Sequence, residues 1–192
     1  MARPTRLNVL FADDDQVLAQ IVDAALKKAG CNVTIARDAM QAVMFAVRTP
    51  PDVIVLDISM PGGNGLMALQ KLKASDKTRH IPVLVVSGLT DATLPEKVRE
   101  LGAMEFQAKP IDVEALPQRL RGLIDQDRIT RERVLDAISR LGRPAGADLA
   151  AIRNVLATEH KSQHEPAALE AILEHLRSQR KVVKQQSRWF LA

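Results

Sequence analysis

Asp13-Asp14-Asp15, Asp57, Ser87-Gly88 and Lys109-Pro110 are the residues of this 192-residue chain whose types could do chemistry together. Carboxylates crowded at one place repel each other and hold their protons more tightly unless a cation sits among them. Oxygen ligands of this kind suit Mg²⁺, which is usually held by one or two carboxylates while keeping waters and binding phosphate oxygens. A lysine and a hydroxyl at the same place supply a positive charge and a hydrogen-bond donor for the equatorial oxygens of a transferred phosphoryl group. The chemistry open to this set is metal-assisted phosphoryl transfer, provided the fold brings the residues together.

The elements that would do so can be read from periodicity. Short β-rich runs recur at Leu7–Ala12, Asn32–Ala36, Val53–Asp57, Val83–Ser87 and Met104–Ala108, with helix-spaced apolar residues between them. In the first helical segment Val17, Leu18, Ile21, Val22, Ala25 and Leu26 read as one inward face, and Gly30 follows as a left-handed cap. Asp38 and Gln41 form a capping box for the second, whose inward stripe is Ala42, Val43 and Ala46. The central strands are apolar throughout, as parallel strands covered on both faces are. An α/β doubly wound sheet follows, and in such sheets ligands collect at the carboxyl ends of the strands. Those ends carry Asp13, Asp14, Asp57, Ser87 and Lys109, whereas Asp15 reads as a helix cap.

Four pieces, Phe11-Ala-Asp-Asp14, Leu56-Asp-Ile-Ser-Met-Pro-Gly62, Ser87-Gly88 and Phe106-Gln-Ala-Lys-Pro110, stand in an order and spacing by which residues 6–124 resemble the receiver domain of two-component response regulators. The resemblance implies a five-stranded parallel, flavodoxin-like sheet with Mg²⁺ as cofactor. It implies that Asp57 is the phosphoacceptor and that Asp13, Asp14, Asp57 and the backbone carbonyl of Ser59 hold the metal. Ser87 and Lys109 would contact the phosphoryl group, and Phe106 would be the aromatic switch that follows Ser87. The implied donor is a histidine kinase or phosphotransfer protein, and the implied output face is the fourth helix, fifth strand and fifth helix. Such a protein is a regulator that takes part in its own Mg²⁺-dependent phosphorylation and dephosphorylation, and is not an enzyme in the usual sense. Departures from the pattern are Pro95 at the first position of a late fourth helix, Pro117 inside the fifth, Ile111 where phenylalanine is common, and Ser59 two residues after the phosphoacceptor.

Residues 1–125 form the expected receiver and 126–192 a small helical domain. No proline or glycine lies between Gly122 and Gly142, so the fifth helix could run on as a signalling helix. A fresh helix is expected instead to start at Thr130, an N-cap with Ile129 and Val134 as its staple, and to end at Leu141-Gly-Arg-Pro144. Further helices are expected over Ala147–Thr158 and from Pro166, the latter with Leu169, Ile172, Leu173 and Leu176 inward. Lys181-Val-Val-Lys184 and Arg188-Trp-Phe-Leu191 read as two short strands about a turn, with Trp189 and Phe190 as anchors. Three helices and a hairpin resemble a winged-helix domain.

Residues 1–125 carry 15 basic and 15 acidic side chains and 126–192 carry 12 and 8, so the net charge of +4 lies wholly in the tail. That excess suggests an anionic partner, with Arg180, Lys181, Lys184 and Arg188 as candidate nucleic-acid contacts. Against DNA stand Glu170 and Glu174 on the third tail helix, where a recognition helix would repel phosphate. Two readings stay open: a DNA-binding regulator, dimerising on phosphorylation, and an adaptor whose tail binds protein or dimerises. His160 and His164 have the spacing of a helical metal pair without a third ligand, and read as a solvated connection. One cysteine, Cys31, excludes an internal disulfide; apolar runs of four residues exclude a membrane span; and the opening residues lack a secretory signal, so the expected compartment is the cytoplasm.

Overall fold

The computed structural model describes residues 6–60, 65–141, 146–160 and 166–192. They form two compact units, 1–124 and 125–192. In the first, β1 (Asn8–Ala12), β2 (Asn32–Ala36), β3 (Val53–Asp57), β4 (Val83–Ser87) and β5 (Glu105–Ala108) make one sheet in the order β2-β1-β3-β4-β5. Every pairing is parallel, and each strand matches its expected span to within one residue. The register sets Ala12 beside Leu56, Asp57 beside Val86 and Ser87 beside Ala108, so the polar strand ends share one edge.

Helices α1 (Gln16–Lys28), α2 (Ala39–Arg48), α3 (Gly65–Ala74), α4 (Leu94–Glu100) and the start of α5 (Leu116–Leu141) cover the sheet. One core joins Leu10, Ile54, Leu56, Val83 and Val85 to α2, α3 and α4; the other joins Phe11, Val55, Leu84 and Val86 to α1 and α5. β3 and β4 are buried at all positions, which is why their sequences carry no alternation.

The helix signals are partly corrected. Asp15 caps α1 by accepting hydrogen bonds from Val17 N and Leu18 N, and Gly30 has φ +82°. Asp38 Oδ1 accepts from Gln41 N, although the return bond to Gln41 Oε1 comes from Arg37 N. Val17 and Ile21 are 68% and 52% exposed, so they do not belong to the inward face: the cap sets a phase that buries Ala19, Val22 and Leu26. α4 does start late, with Leu94 ahead of Pro95. Pro117 is the second residue of α5, where its missing N–H has no intrahelical partner to lose, so it does not interrupt the helix.

The fresh start at Thr130 is not seen. α5 is a single 26-residue helix in which Thr130 Oγ1 donates to Gln126 O, satisfying the hydroxyl in mid-helix instead of capping. Ion pairs Arg128–Asp125, Arg131–Asp127 and Arg140–Asp136 at helical spacing support the stretch. Ile129 is exposed, not a staple.

The second unit adds α6 (Leu149–His160), α7 (Pro166–Ser178) and an antiparallel hairpin, β6 (Val182–Gln185) and β7 (Arg188–Leu191). α6 starts two residues later than expected because Asp148 caps it, accepting from Ala151 N, while Ala147 bonds to Trp189 in both directions. Val134, Ala137, Ile138, Ile152, Leu156, Leu169, Leu173, Leu176, Val182 and Trp189 form its core. Gly142-Arg-Pro144 and the pairing of His160 with His164 lie outside the described residues and side chains. No described helix is long and apolar enough to cross a membrane.

Gly146 has φ +74°, and a Cβ there would meet the Phe190 ring, 2.7 Å from Cε2. Gly146→Ala is expected to lower the stability of the second unit by about 1–3 kcal/mol, the range for a side chain forced into left-handed backbone. Thermal unfolding followed by fluorescence of Trp189, the single tryptophan, measures it. An unchanged transition would show that the ring does not depend on the glycine.

Candidate functional site

β1 and β3 end in Asp13 and Asp57, each 1% exposed, while Asp14 is turned to solvent. Carboxylate oxygens of the three lie within 4.8 Å of one another, the one such acidic group among the described residues. Lys109, following β5, brings Nζ to 2.6 Å from Asp57 Oδ2 and 2.8 Å from Asp13 Oδ2. Both contacts are of charge-assisted length, so one ammonium is shared between two buried carboxylates.

The other oxygens are held by backbone. Asp57 Oδ1 accepts from Ser59 N at 2.7 Å and Asp13 Oδ1 from Asp15 N at 2.9 Å. Ser87, fully buried at the end of β4, has Oγ 3.0 Å from the donating Leu89 N and 3.2 Å from Ser59 Oγ. Lys109 N donates to Ser87 O, which ties the lysine's backbone to the serine's strand, and the Lys109-Pro110 peptide is cis. The structure thus brings Asp13, Asp14, Asp57, Ser59, Ser87 and Lys109 together. Phe106 stands apart from them, half-buried on β5 against the core under α2, α3 and α4.

Burial pushes the Asp13 carboxyl above its ordinary value, and the negative charge of Asp57 adds to this, while Lys109 and the Asp15 N–H oppose it. Burial alone would lower the Lys109 ammonium, but the carboxylates of Asp13 and Asp57 more than reverse that and raise it, so the lysine stays charged. Three carboxylates, two of them buried, that one ammonium only partly neutralises are a donor set that fits a hard divalent cation.

Gly65 is a site residue that composition did not single out. A Cβ there would overlap the backbone of Ile58 and lie 2.7 Å from Asp57 O, so α3 can approach the chain at Asp57 and Ile58 only with glycine at its first position. The only signal was the clustering of Gly62, Gly63 and Gly65.

In the tail Arg180, Lys181 and Arg188 are exposed, and Arg180 has φ +56° at the junction of α7 and β6. Lys184 is turned inward: Nζ lies 3.5 Å from Glu170 Oε1, 3.6 Å from Glu174 Oε1 and 4.9 Å from the centre of the Trp189 ring. One of the four residues expected to meet phosphate is therefore held by the acids of α7.

The sequence pattern of the response regulator receiver domain matches residues 9–121. Among curated proteins the chain is 34% identical over 124 residues to the DNA-binding dual master transcriptional regulator RpaA of Synechocystis, covering 63% of this chain and 51% of that protein. It is 31% identical over 116 residues to Protein PilH of Pseudomonas aeruginosa, covering 60% of this chain and 96% of that one. The receiver domain of a sensor histidine kinase from Pseudomonas aeruginosa, solved with a magnesium ion coordinated in its active-site cleft, superimposes with a TM-score of 0.58 at 26% identity, over 63% of this chain and 99% of that one. The chain spans about half the length of RpaA. Receiver domains bind Mg²⁺ at an acidic pocket, and the cluster of Asp13, Asp14 and Asp57 occupies such a position here.

Because the folded-state value of Asp13 is raised, folding favours its protonated form. That contribution is complete below the ordinary carboxylate range and is lost as pH rises through the raised value, so at neutral pH the ionised acid detracts from stability. Asp13→Asn is expected to melt higher than the unsubstituted protein at neutral pH without metal, with the difference vanishing in acid. It is also expected to lose the rise in melting temperature that Mg²⁺ gives the parent. Thermal scans with MgCl₂ and with EDTA check both; a variant that still gains from Mg²⁺ would remove Asp13 from the metal set.

Proposed function

Since the chain belongs to the response regulator receiver domain family, as its match over residues 9–121 establishes, we propose that Asp57 accepts a phosphoryl group from a histidine kinase or phosphotransfer protein and so controls a C-terminal winged-helix unit. The observation that carries this reading is the buried Asp57 carboxylate, with Lys109 Nζ at 2.6 Å and the Asp13 and Asp14 carboxylates beside it.

Mg²⁺ bound by Asp13, Asp14, Asp57 and the Ser59 carbonyl would neutralise charge on the phosphoryl oxygens. Asp57 is presented for attack because Ser59 N and Lys109 fix its two oxygens. Phosphorylation turns a charge of −1 into about −2 with three acceptor oxygens. Lys109 then exchanges part of its contact with the carboxylates for the phosphoryl group, and Ser87 gives up its hydroxyl contact with Ser59 to donate to it. Phe106, half-buried on β5, would move into the space that Ser87 leaves. A switch from mostly off to mostly on needs roughly 3–5 kcal/mol, which a few charge-assisted hydrogen bonds supply.

Support for a winged helix comes from chain order. The end of α5 is followed by Ala147, paired antiparallel to Trp189, then α6, α7 and the hairpin, so that β7 lies between Ala147 and β6. The name of RpaA and the exposed Arg180, Lys181 and Arg188 support DNA as the target. A second reading, a protein-binding or dimerising module, is favoured by the acids on α7 and their hold on Lys184.

Incubation with a small phosphodonor and Mg²⁺ should give a hydroxylamine-labile phosphoryl label that Asp57→Ala lacks entirely; undiminished label would move the acceptor elsewhere. Fluorescence anisotropy with mixed-sequence duplex DNA should show binding that weakens steeply with salt. No binding at low salt, with or without phosphorylation, would select the protein-binding module.

A further inference from the structure

Lys184 is a residue of the basic hairpin whose charge the fold has already engaged. Its partner across the hairpin ladder is Trp189, buried beneath it, and its Nζ lies over that ring. Glu170 and Glu174, four residues apart on α7, reach it from the other side, and Glu174 uses its second oxygen to hold Arg177 at 3.1 Å. Two carboxylates thus hold two cations of the basic tail. Arg180 and Lys181, by contrast, are exposed and have no ion pair among the described residues.

The contacts to Lys184 are longer than hydrogen bonds and partly open to water, so they are held by charge and exchangeable. The cation–π contact survives such an exchange, because the ring is fixed in the core. A phosphate oxygen would compete with carboxylate oxygens for one ammonium, and the nearby acids would repel it.

We propose that Glu170 and Glu174 of α7 are an internal electrostatic mask, withholding Lys184 of the hairpin from nucleic-acid phosphate. The inference rests on the DNA-binding reading of the tail. It deepens that reading by dividing the basic residues into those that meet phosphate unaided, Arg180 and Lys181, and one that does so only when the mask is removed. The acids of α7, which argue against a recognition helix, become a limit on affinity instead of a bar to binding.

The test uses the full chain and a fluorescent mixed-sequence duplex titrated at several salt concentrations. The double variant Glu170→Gln/Glu174→Gln should bind more tightly than the parent, with the slope of log affinity against log salt steeper by about one, the increment for one further phosphate contact. That increment makes the gain shrink roughly three- to four-fold between about 50 and 200 mM salt. Adding Lys184→Gln should abolish the gain and the extra slope, and Lys184→Gln alone should leave parental binding unchanged. Trp189 emission should be the same in all variants, showing the hairpin in place. Equal affinity and slope for parent and double variant would overturn the mask while leaving DNA binding intact. A gain that survives Lys184→Gln would overturn it as mere loss of negative charge, and a red-shifted Trp189 would overturn it by giving the acids a structural role. Failure of both parent and double variant to bind at low salt would instead remove the DNA-binding reading itself, and the mask with it.

Discussion

Two carboxylates buried side by side are tolerable only because Lys109 lies between them. With Nζ at 2.6 Å from Asp57 and 2.8 Å from Asp13, one ammonium answers two acids, and removing it would leave like charges facing each other with little water to screen them. The rest of the first unit can be understood as what this contact demands. The three groups come from β1, β3 and the segment after β5, which are not adjacent in sequence, and only parallel strands in register bring their ends to one edge. Parallel strands in turn need helices over both faces, and the two cores supply them.

That balance leaves the pocket short of positive charge. Two buried acids and one exposed acid against a single ammonium favour a cation. The strands cannot shift, since β3 and β4 are buried throughout. At the end of β4 the Ser87 hydroxyl contacts Leu89 N and Ser59 Oγ, and the chain runs on to Asp91, whose side chain accepts from Thr93 before the seven-residue α4 begins. On the other side of Phe106, Arg119 of α5 bonds to both Glu105 and Gln107 of β5, so strand and helix are tied as a block.

Most of this was legible in the residues themselves. The strands and the grouping of Asp13, Asp14, Asp57, Ser87 and Lys109 follow from apolar runs that end in polar residues, a pattern that burial on both faces enforces. What was not legible depends on contacts between distant segments. Val17 and Ile21 have helical spacing, but which stripe turns inward is set by the cap at Asp15 and by what lies beneath. Thr130 is a good cap residue and an acceptable mid-helix residue, and local sequence does not separate the two when ion pairs on both sides favour continuation. Gly65 is needed because another segment's backbone passes close, which a linear pattern cannot state. Charge at Lys184 was visible; its burial against α7 was not.

The hairpin shows the same limit from another side. Its turn lacks the Asn-Gly or Asp-Gly that favours tight reversal, and Gln186 takes φ +54°, a conformation that a side chain of this kind adopts at some cost. The turn therefore does not hold the strands together. Trp189 does, by exchanging backbone hydrogen bonds with Ala147 while its ring enters the core with Val182, Leu169 and Leu173. Lys181 N bonds back to Leu176 O and Ala192 N to Lys181 O, closing the base of the ribbon. A hairpin fixed at its base and under its middle, with a costly turn at its tip, keeps its exposed basic residues on a defined frame, which is the property a surface that recognises a partner requires.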